Sequence, residues 1–150
     1  MRNAIGISVK EALPQEAWSD LVNCQSAILV DVRTKEEWGS VGVPELSSLG
    51  KTTIFIEWQE YPNMSYNPLF VKRLMEELKT KPIEKIFFIC RSGVRSKDAA
   101  QTISNHLNDL GMQVKCVNVA EGFEGNLKKD KFGGCSNGWK ARGLAWRQYQ

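Results

Sequence analysis

Short apolar runs that alternate with helix-like segments are the feature that most restricts how this chain can fold. In order, the predicted strands are Ile5–Ser8, Ala27–Val32, Thr53–Ile56, Ile86–Ile89 and Val114–Val119. Runs such as Ala27–Val32 are apolar without polar alternation, which is typical of strands covered on both faces. The pattern therefore predicts an open α/β fold, with a mostly parallel central sheet of about five strands and helices on both faces.

The segments between these runs carry helical spacing and helix-start signals. The predicted helices are Leu13–Leu21, Thr34–Trp38 with Thr34 and Glu37 as a capping box, Asn67–Leu78 with Asn67 and Pro68 at its start, and Ser96–Leu110. Tyr61–Asn67 is predicted to be a loop, and the glycine-rich tail from Gly122 onward is expected to return and cover an edge of the sheet. There is no internal repeat or linker, so we predict one domain over residues 1–150.

Composition and charge argue against several classes of function. The net charge of +3 is too small a surplus to indicate a nucleic-acid-binding protein. The apolar runs are too short for a membrane span, and Met1–Gly6 lacks the apolar core of a secretory signal. The cysteines are far apart with no CxxC pair, which argues against a metal site and for free thiols. They are Cys24, Cys90, Cys116 and Cys135. We expect a cytoplasmic protein with no metal, membrane or nucleic-acid partner.

Cys90 is the candidate nucleophile, because it ends the most strand-like run where a turn leads into a helix. Ligands of open parallel sheets bind beyond the carboxyl ends of the strands. Inward N–H groups of the turn, with Gly93 free to adopt a positive φ, the helix N-terminus and two arginines all favour the thiolate. We expect the sulfur to be reachable at the rim of the sheet. The predicted substrate-binding residues are Arg91, Ser92, Gly93, Val94, Arg95 and Ser96.

The Cys90–Ser96 segment, Cys-Arg-Ser-Gly-Val-Arg-Ser, resembles the active-site loop of the rhodanese family. Other segments resemble that family in the same order along the chain. They are Asp31-Val32-Arg33 with Glu37 and Trp38, then Asn118–Phe123, and then Gly138–Trp139 with Gly143–Trp146. The similarity extends roughly from Ile7 to Trp146. The Cys90–Ser96 segment is the specific signal, since Asp-Val-Arg alone is a weak one.

The resemblance implies a rhodanese-like fold and a sulfurtransferase without an organic cofactor. In such an enzyme the Cys90 thiolate takes the outer sulfur of a small anionic donor such as thiosulfate and forms a persulfide. A thiol or cyanide then removes that sulfur. A relay that passes sulfur to a partner protein or a tRNA-modifying system uses the same residues and remains an alternative. An ionised nucleophile needs no general base.

Two segments depart from the family pattern. Ser40–Glu45 stands where the family often has a Gly-His-Ile-Pro-Gly-like turn, and the insert from Lys51 to Asn67 is rich in aromatic residues, including Trp58 and Tyr61. We expect both segments to border the pocket, so they leave the identity of the substrate open.

Three other functions fit the sequence less well than sulfur transfer. Cysteine phosphatases place arginine where this chain has Ser96, one residue after Arg95, so the loop is one residue too short for them. A Cys-His hydrolase is disfavoured because the only histidine, His106, lies about 15 Å along the helix that begins at Ser96. A binding module without catalysis usually loses the cysteine, which this chain retains. A buried, inert strand-end thiol is the remaining interpretation of Cys90.

The other cysteines and the charged strand end have minor or structural interpretations. We interpret Cys24 and Cys116 as core residues, and Cys135 as an exposed loop thiol that is a candidate second carrier of sulfur. A charge that ends a buried strand needs hydrogen-bonding partners. We therefore expect Arg33 to be structural, whereas Asp31 is either structural or a support for the Cys90–Ser96 segment.

Overall fold

The computed structural model describes residues 9–125 and 137–150. In that part of the chain the helices are α1 (Pro14–Asn23), α2 (Lys35–Val41), α3 (Phe70–Leu78) and α4 (Val94–Asp109), with a 3₁₀ turn at Ser47–Leu49. The strands are β1 (Lys10–Ala12), β2 (Ala27–Asp31), β3 (Val43–Pro44), β4 (Ile54–Phe55), β5 (Gln59–Glu60), β6 (Ser65–Tyr66), β7 (Lys85–Ile89), β8 (Lys115–Val119) and β9 (Trp146–Arg147). No helix within these ranges is both long enough and apolar enough to span a bilayer.

Among the described residues, five strands form the central sheet in the order β1-β8-β7-β2-β4, and all their pairings are parallel. The predicted open, mostly parallel α/β fold is therefore confirmed. Because the strands are parallel, their carboxyl ends lie along one edge of the sheet. The segments that follow β2, β4, β7 and β8 meet at this edge, which is where a ligand is expected to bind.

The central sheet is covered on both faces. Val30 and Phe88 belong to one core, together with buried residues of α3 and α4. Leu29 and Phe87, their neighbours along the strands, belong to a second core with α1 and Trp139. Successive strand residues point to opposite faces, so uninterrupted apolar runs are what a sheet buried on both sides requires.

Helix α4 begins at Val94, two residues before the predicted start at Ser96. Gly93 precedes it with a φ of +102°, a conformation that glycine adopts without steric cost. The chain therefore turns into the helix earlier than its apolar spacing indicates. As a result Val94, Arg95 and Ser96 belong to the first turn of α4 and not to the preceding loop.

Helix α3 begins at Phe70 and not at the predicted pair Asn67–Pro68. Asn67 Oδ1 accepts a hydrogen bond from Leu69 N at 2.9 Å, and its Nδ2 donates to Glu57 O at 2.8 Å. Asn67 thus fixes the segment that precedes α3 through its side-chain hydrogen bonds and is not the N-cap of the helix. The predicted Tyr61–Asn67 loop also contains a strand, since β6 pairs antiparallel with β5.

The two ends of the chain differ from expectation. The predicted strand Ile5–Ser8 lies outside the described residues, and the first strand that the structure describes is β1. In the tail, Tyr149 contacts the ring of Phe55 in the edge strand β4, at a centroid separation of 5.3 Å. The fully buried Trp139, however, packs on a face of the sheet. The described part of the tail therefore covers one face of the central sheet and also lies beside the edge strand β4.

Candidate active site

Cys90 directly follows β7, at the carboxyl edge of the central sheet. Its Sγ accepts a hydrogen bond from Gly93 N at 3.2 Å, and Ser96 Oγ also lies 3.2 Å away. The amide of the turn therefore points at the sulfur, as an anion-binding turn requires. Cys90 is only 1% exposed, however, so the sulfur lies beneath the turn and is not open at the rim as expected. We call residues 90–93 the Cys90 loop.

The Cys90 loop is held from one side by the segment that follows β8. Phe123 N donates to Cys90 O at 2.8 Å, and Glu124 N donates to Arg91 O at 3.0 Å. Gly122, with a φ of +66°, makes this approach possible, since a Cβ there would lie 2.5 Å from the Arg91 carbonyl. These contacts fix the backbone on which the sulfur is mounted.

The two arginines of the predicted site have different surroundings. The Arg91 side chain is 56% exposed, and its Nε lies 3.5 Å from Glu124 Oε2. Arg95 instead forms a two-point ion pair with Glu37 of α2, with both N–O distances at 2.8 Å. Arg91 is exposed and only loosely paired, so it can meet an incoming anion, whereas the hydrogen-bonding edge of Arg95 is already occupied. Substrate binding by Arg95 stays a prediction that this geometry does not favour.

The Glu37–Arg95 pair is electrostatically strong despite its partial burial. Burial alone would raise the pKa of Glu37, but the hydrogen bonds and charge of Arg95, together with Thr34, hold it below the ordinary value. Burial would lower the pKa of Arg95, but Glu37 above all, and then Cys90 and Asp31, raise it. Arg95 thus remains a cation near the sulfur while its guanidinium ties α4 to α2.

Replacing Glu37 with glutamine is expected to lower the free energy of unfolding by roughly 1–2 kcal/mol at neutral pH. Because the folded protein depresses the pKa of Glu37, the stabilising contribution is complete above the ordinary value of 4.5 and is lost as the pH falls through the lower folded value. Urea unfolding from neutral pH down to about pH 3 should show the two proteins converging. The adjacent, exposed Glu36→Gln is the control, and a constant difference across the pH range would contradict the expectation.

A shallow cleft of about 420 Å³ opens beside the Cys90 loop. Its lining consists of Glu11, Ser92, Gly93, Val94, Lys97, Asp98, Asn118, Ala120 and Glu121. The cleft carries more acidic than basic groups, so it is not an anion site by charge alone. No residue of the Lys51–Asn67 insert is among this lining; the insert instead contributes Thr52–Ile56 to a larger cleft of about 600 Å³ against α3.

Asn118 is a polar residue of the site that the sequence analysis did not single out. It is 2% exposed and lies in β8, where its Oδ1 is 2.5 Å from Ser96 Oγ. Its Nδ2 donates to Gly93 O and to Glu11 Oε1, both at 2.9 Å. The signal was present in the sequence, because an asparagine between Val117 and Val119 interrupts an apolar strand and needs buried partners.

Asp31 and Arg33 form a fully buried ion pair at the end of β2. Arg33 Nε lies 3.0 Å from Asp31 Oδ1, and Arg33 Nη2 lies 2.7 Å from Asp31 Oδ2. Nη2 also donates to Gly42 O at 2.9 Å, and the guanidinium carbon lies 4.3 Å from the ring centroid of Phe123. Phe123 in turn donates its N–H to Cys90. Support of the Cys90 loop by Asp31 therefore has a physical route through Arg33, and it stays a prediction.

The remaining candidate groups lie away from the sulfur or outside the description. Cys116 belongs to the core, where burial raises the pKa of its thiol to about 12, and Cys24 is half-buried. Cys135 lies outside the described residues. His106 is in the last turn of α4, at the opposite end of the helix from Cys90. Within the described residues, no group of three or more His, Cys, Asp or Glu side chains is arranged to hold a metal ion.

Proteins of similar sequence and structure include several from bacteria. The Rickettsia conorii protein RC0915 is 38% identical over 141 residues, which cover 94% of this chain and 99% of that protein. The crystal structure of Rv0390 from M. tuberculosis has 36% identity and a TM-score of 0.73, and it covers 95% of this chain and 100% of that one. The polysulfide-sulfur transferase of Wolinella succinogenes has 15% identity and a TM-score of 0.55, with coverages of 95% and 80%.

The rhodanese-like domain model matches residues 13–129, which include every strand of the central sheet but β1 and the whole of the Cys90 loop. The cysteine at the carboxyl end of β7, the turn that faces it and the helix that follows are thus parts of a fold with known relatives. The chain belongs to the rhodanese-like domain family.

Proposed function

We propose that this protein is a sulfurtransferase that carries sulfur as a persulfide on Cys90. The observation that carries the proposal is the hydrogen bond from Gly93 N to Cys90 Sγ, at the start of α4 and beyond the carboxyl end of β7. An inward amide, the positive end of a helix and the nearby Arg95 cation all stabilise negative charge on sulfur. Both the thiolate and the persulfide anion need such stabilisation.

The proposed reaction has two displacement steps. The Cys90 thiolate attacks the outer sulfur of thiosulfate, a sulfur–sulfur bond forms, and sulfite leaves with the electron pair of the bond that breaks. A thiolate or cyanide acceptor then attacks the outer sulfur, and Cys90 departs as the thiolate. No proton has to move in either displacement once the sulfur is ionised, so a histidine near Cys90 is unnecessary.

The burial of Cys90 adds a conformational step to this proposal. With 1% of the residue exposed, a donor reaches the sulfur only when the Cys90 loop opens. The carbonyls of Cys90 and Arg91 are bound to the segment after β8, and the carbonyl of Gly93 is bound to Asn118, so opening of the loop has to break at least one of these bonds. Glycine at the junction allows the required backbone rotation.

Two solved structures of named sulfurtransferases share the fold of this protein. The Wolinella succinogenes protein is named for polysulfide-sulfur transfer, but at 15% identity its likeness concerns the fold alone. A thiosulfate sulfurtransferase from Pseudomonas aeruginosa has the same standing, at 14% identity and a TM-score of 0.55. Sulfur transfer by this protein is therefore inferred from the geometry around Cys90, and the experiment has to test the reactivity of that residue.

Peptide mass spectrometry after thiosulfate treatment is the direct test of the proposal. We expect one sulfur atom to add at Cys90 and to leave when cyanide is supplied, with thiocyanate as the product. Cys24 and Cys116, measured in the same digest, are internal controls. If Cys90 takes up no sulfur while the protein remains folded, its thiol is an inert core group and the proposal fails.

A phosphatase activity is disfavoured by the position of the arginines. Ser96 stands where cysteine phosphatases have arginine, and the Arg95 guanidinium is turned to Glu37 by two hydrogen bonds. Neither residue is therefore placed to hold the equatorial oxygens of a phosphoryl group. Hydrolysis of an aryl phosphate by the same preparation should stay at background, and a rate that depends on Cys90 would favour the phosphatase instead.

Replacing Arg91 with glutamine is expected to raise KM for thiosulfate by roughly threefold to tenfold while kcat changes less. The Arg91 guanidinium is exposed and its Nε is only loosely paired with Glu124, so its charge can attract the dianion. Steady-state kinetics at low and high salt should show the difference shrinking as salt screens the charge. Lys79→Gln, at the exposed end of α3, is the matched charge control, and an equal effect there would remove the special role of Arg91.

A further inference from the structure

Asn118, Ser96 and Cys90 are linked by hydrogen bonds that share one hydrogen, that of the Ser96 hydroxyl. Ser96 Oγ lies 3.2 Å from Cys90 Sγ and 2.5 Å from Asn118 Oδ1. A serine hydroxyl has one hydrogen, so it donates to only one of these atoms at a time. Ser96 is 0% exposed and Asn118 is 2% exposed, so bulk water does not supply a substitute donor.

The orientation of the Asn118 amide decides where that hydrogen lies. Nδ2 faces the Gly93 carbonyl and the Glu11 carboxylate, which both act as acceptors, so the amide cannot be reversed without losing two bonds. Oδ1 therefore faces Ser96 and has to accept. Ser96 Oγ is placed to donate to both Cys90 Sγ and Asn118 Oδ1, and the shorter contact, to Asn118, holds the hydrogen more firmly.

We propose that Asn118 is a positioning residue that competes with Cys90 for the single hydroxyl hydrogen of Ser96 and so withdraws this donor from the resting sulfur. A hydrogen bond from Ser96 to the Cys90 sulfur requires the hydroxyl to rotate and to leave Asn118. Asn118 and the thiolate thus compete for the same hydrogen.

The consequence for the protein is restraint of Cys90 between turnovers. An unloaded sulfur that ionises less readily reacts more slowly with oxidants and alkylating agents. The role assigned to Asn118 rests on the proposed function for its purpose, since it restrains a nucleophile. Its test does not, because alkylation of Cys90 requires neither a sulfur donor nor an acceptor.

The pH dependence of Cys90 alkylation by iodoacetamide, quantified at the Cys90 peptide, is the deciding measurement. Asn118→Leu removes the competing acceptor and frees the hydroxyl to donate to the thiolate. We expect the midpoint to fall by about one pH unit, which is an approximately tenfold faster reaction at pH values below both midpoints. An unchanged or raised midpoint would overturn the proposal. Asn118→Val replaces the leucine variant if that one does not fold.

Two controls separate this effect from a loosened loop. Asn118→Asp loses the amide donor to Gly93 but keeps an oxygen acceptor for Ser96, so its midpoint should not fall. In a Ser96→Ala background there is no hydroxyl to turn, so adding Asn118→Leu should leave the midpoint where Ser96→Ala alone puts it. A fall in either control of the size seen for Asn118→Leu would assign the change to the loop and refute the role of the hydroxyl.

The charged groups that surround Cys90 keep their own partners in all of these variants, except that Glu11 loses the amide of Asn118. They are Arg91 of the Cys90 loop, paired with Glu124; Arg95 on α4, paired with Glu37 on α2; Lys97 on α4, near Glu11 on β1; and Asp31 at the end of β2, paired with Arg33. A failure of sulfur loading with a shifted alkylation midpoint would reject the proposed function alone. Normal sulfur loading with unshifted midpoints would reject the role of Asn118 alone.

Discussion

Replacing Cys90 with serine is expected to abolish sulfur loading and to reduce transfer from thiosulfate to cyanide by about a thousandfold or more. Serine keeps the approximate size of the side chain and its contacts with Gly93 and Ser96. Its hydroxyl does not ionise near neutral pH and has no affinity for sulfane sulfur. The measurements are thiocyanate formation and the mass of the Cys90 peptide after thiosulfate treatment.

The matched control for that variant is Cys24→Ser, which changes a half-buried thiol whose Sγ lies 3.4 Å from Ser26 Oγ. It should load sulfur at Cys90 as the unaltered protein does. Cys135→Ala tests the second-carrier hypothesis, and unchanged turnover would remove it. Normal transfer by Cys90→Ser, with its fold intact, would show that the nucleophile is another group.

Replacing Asp31 with alanine is expected to lower the free energy of unfolding by about 3–5 kcal/mol. Asp31 and Arg33 are both 0% exposed, so the change leaves a buried guanidinium without its counter-ion. The remaining contacts of Arg33, with Gly42 O and the Phe123 ring, do not neutralise its charge. Denaturant unfolding at neutral pH measures the loss.

The control for this loss is an ion pair of the same chemistry at the surface. Asp20 pairs with Lys85 at 2.7 Å but is 47% exposed, so Asp20→Ala should cost less than about 1 kcal/mol. Adding Arg33→Met to Asp31→Ala should restore part of the stability, since it removes the unpaired charge. If Asp31→Ala and Asp20→Ala lower the free energy of unfolding by the same amount, water reaches the Asp31–Arg33 pair and the expectation is wrong.

Much of the order of strands and helices was predictable from the sequence, because strands buried on both faces appear in it as uninterrupted apolar runs. β2, β7 and β8 coincide with apolar runs to within a residue at either end, and the capping box of Thr34 and Glu37 is present. Errors occurred where a local bond competes with periodicity. Gly93 starts α4 early, and Asn67 delays α3 by binding Leu69 and Glu57.

The sequence predicted only the part of the candidate site that is one continuous segment of the chain. Cys90 and its turn form one continuous segment, so their types and spacing were sufficient to single them out. The partners of that segment come from elsewhere, namely Glu37 for Arg95, Asn118 for Ser96 and Phe123 for the Cys90 carbonyl. Pairings between distant residues depend on the register of parallel strands, which apolar patterns do not specify.

The sequence by itself therefore determined the order of the helices and of four strands of the central sheet, the α/β class and the position of one cysteine at a strand end. Only the tertiary structure decided that this sulfur is buried, that Arg95 faces Glu37 and that Ser96 lies between Cys90 and Asn118. The physical reason is that burial and hydrogen-bond direction are properties of atoms brought together across the sheet. A residue's type restricts which bonds it can form, but the packing of β8 and α4 against β7 selects which of them it does form.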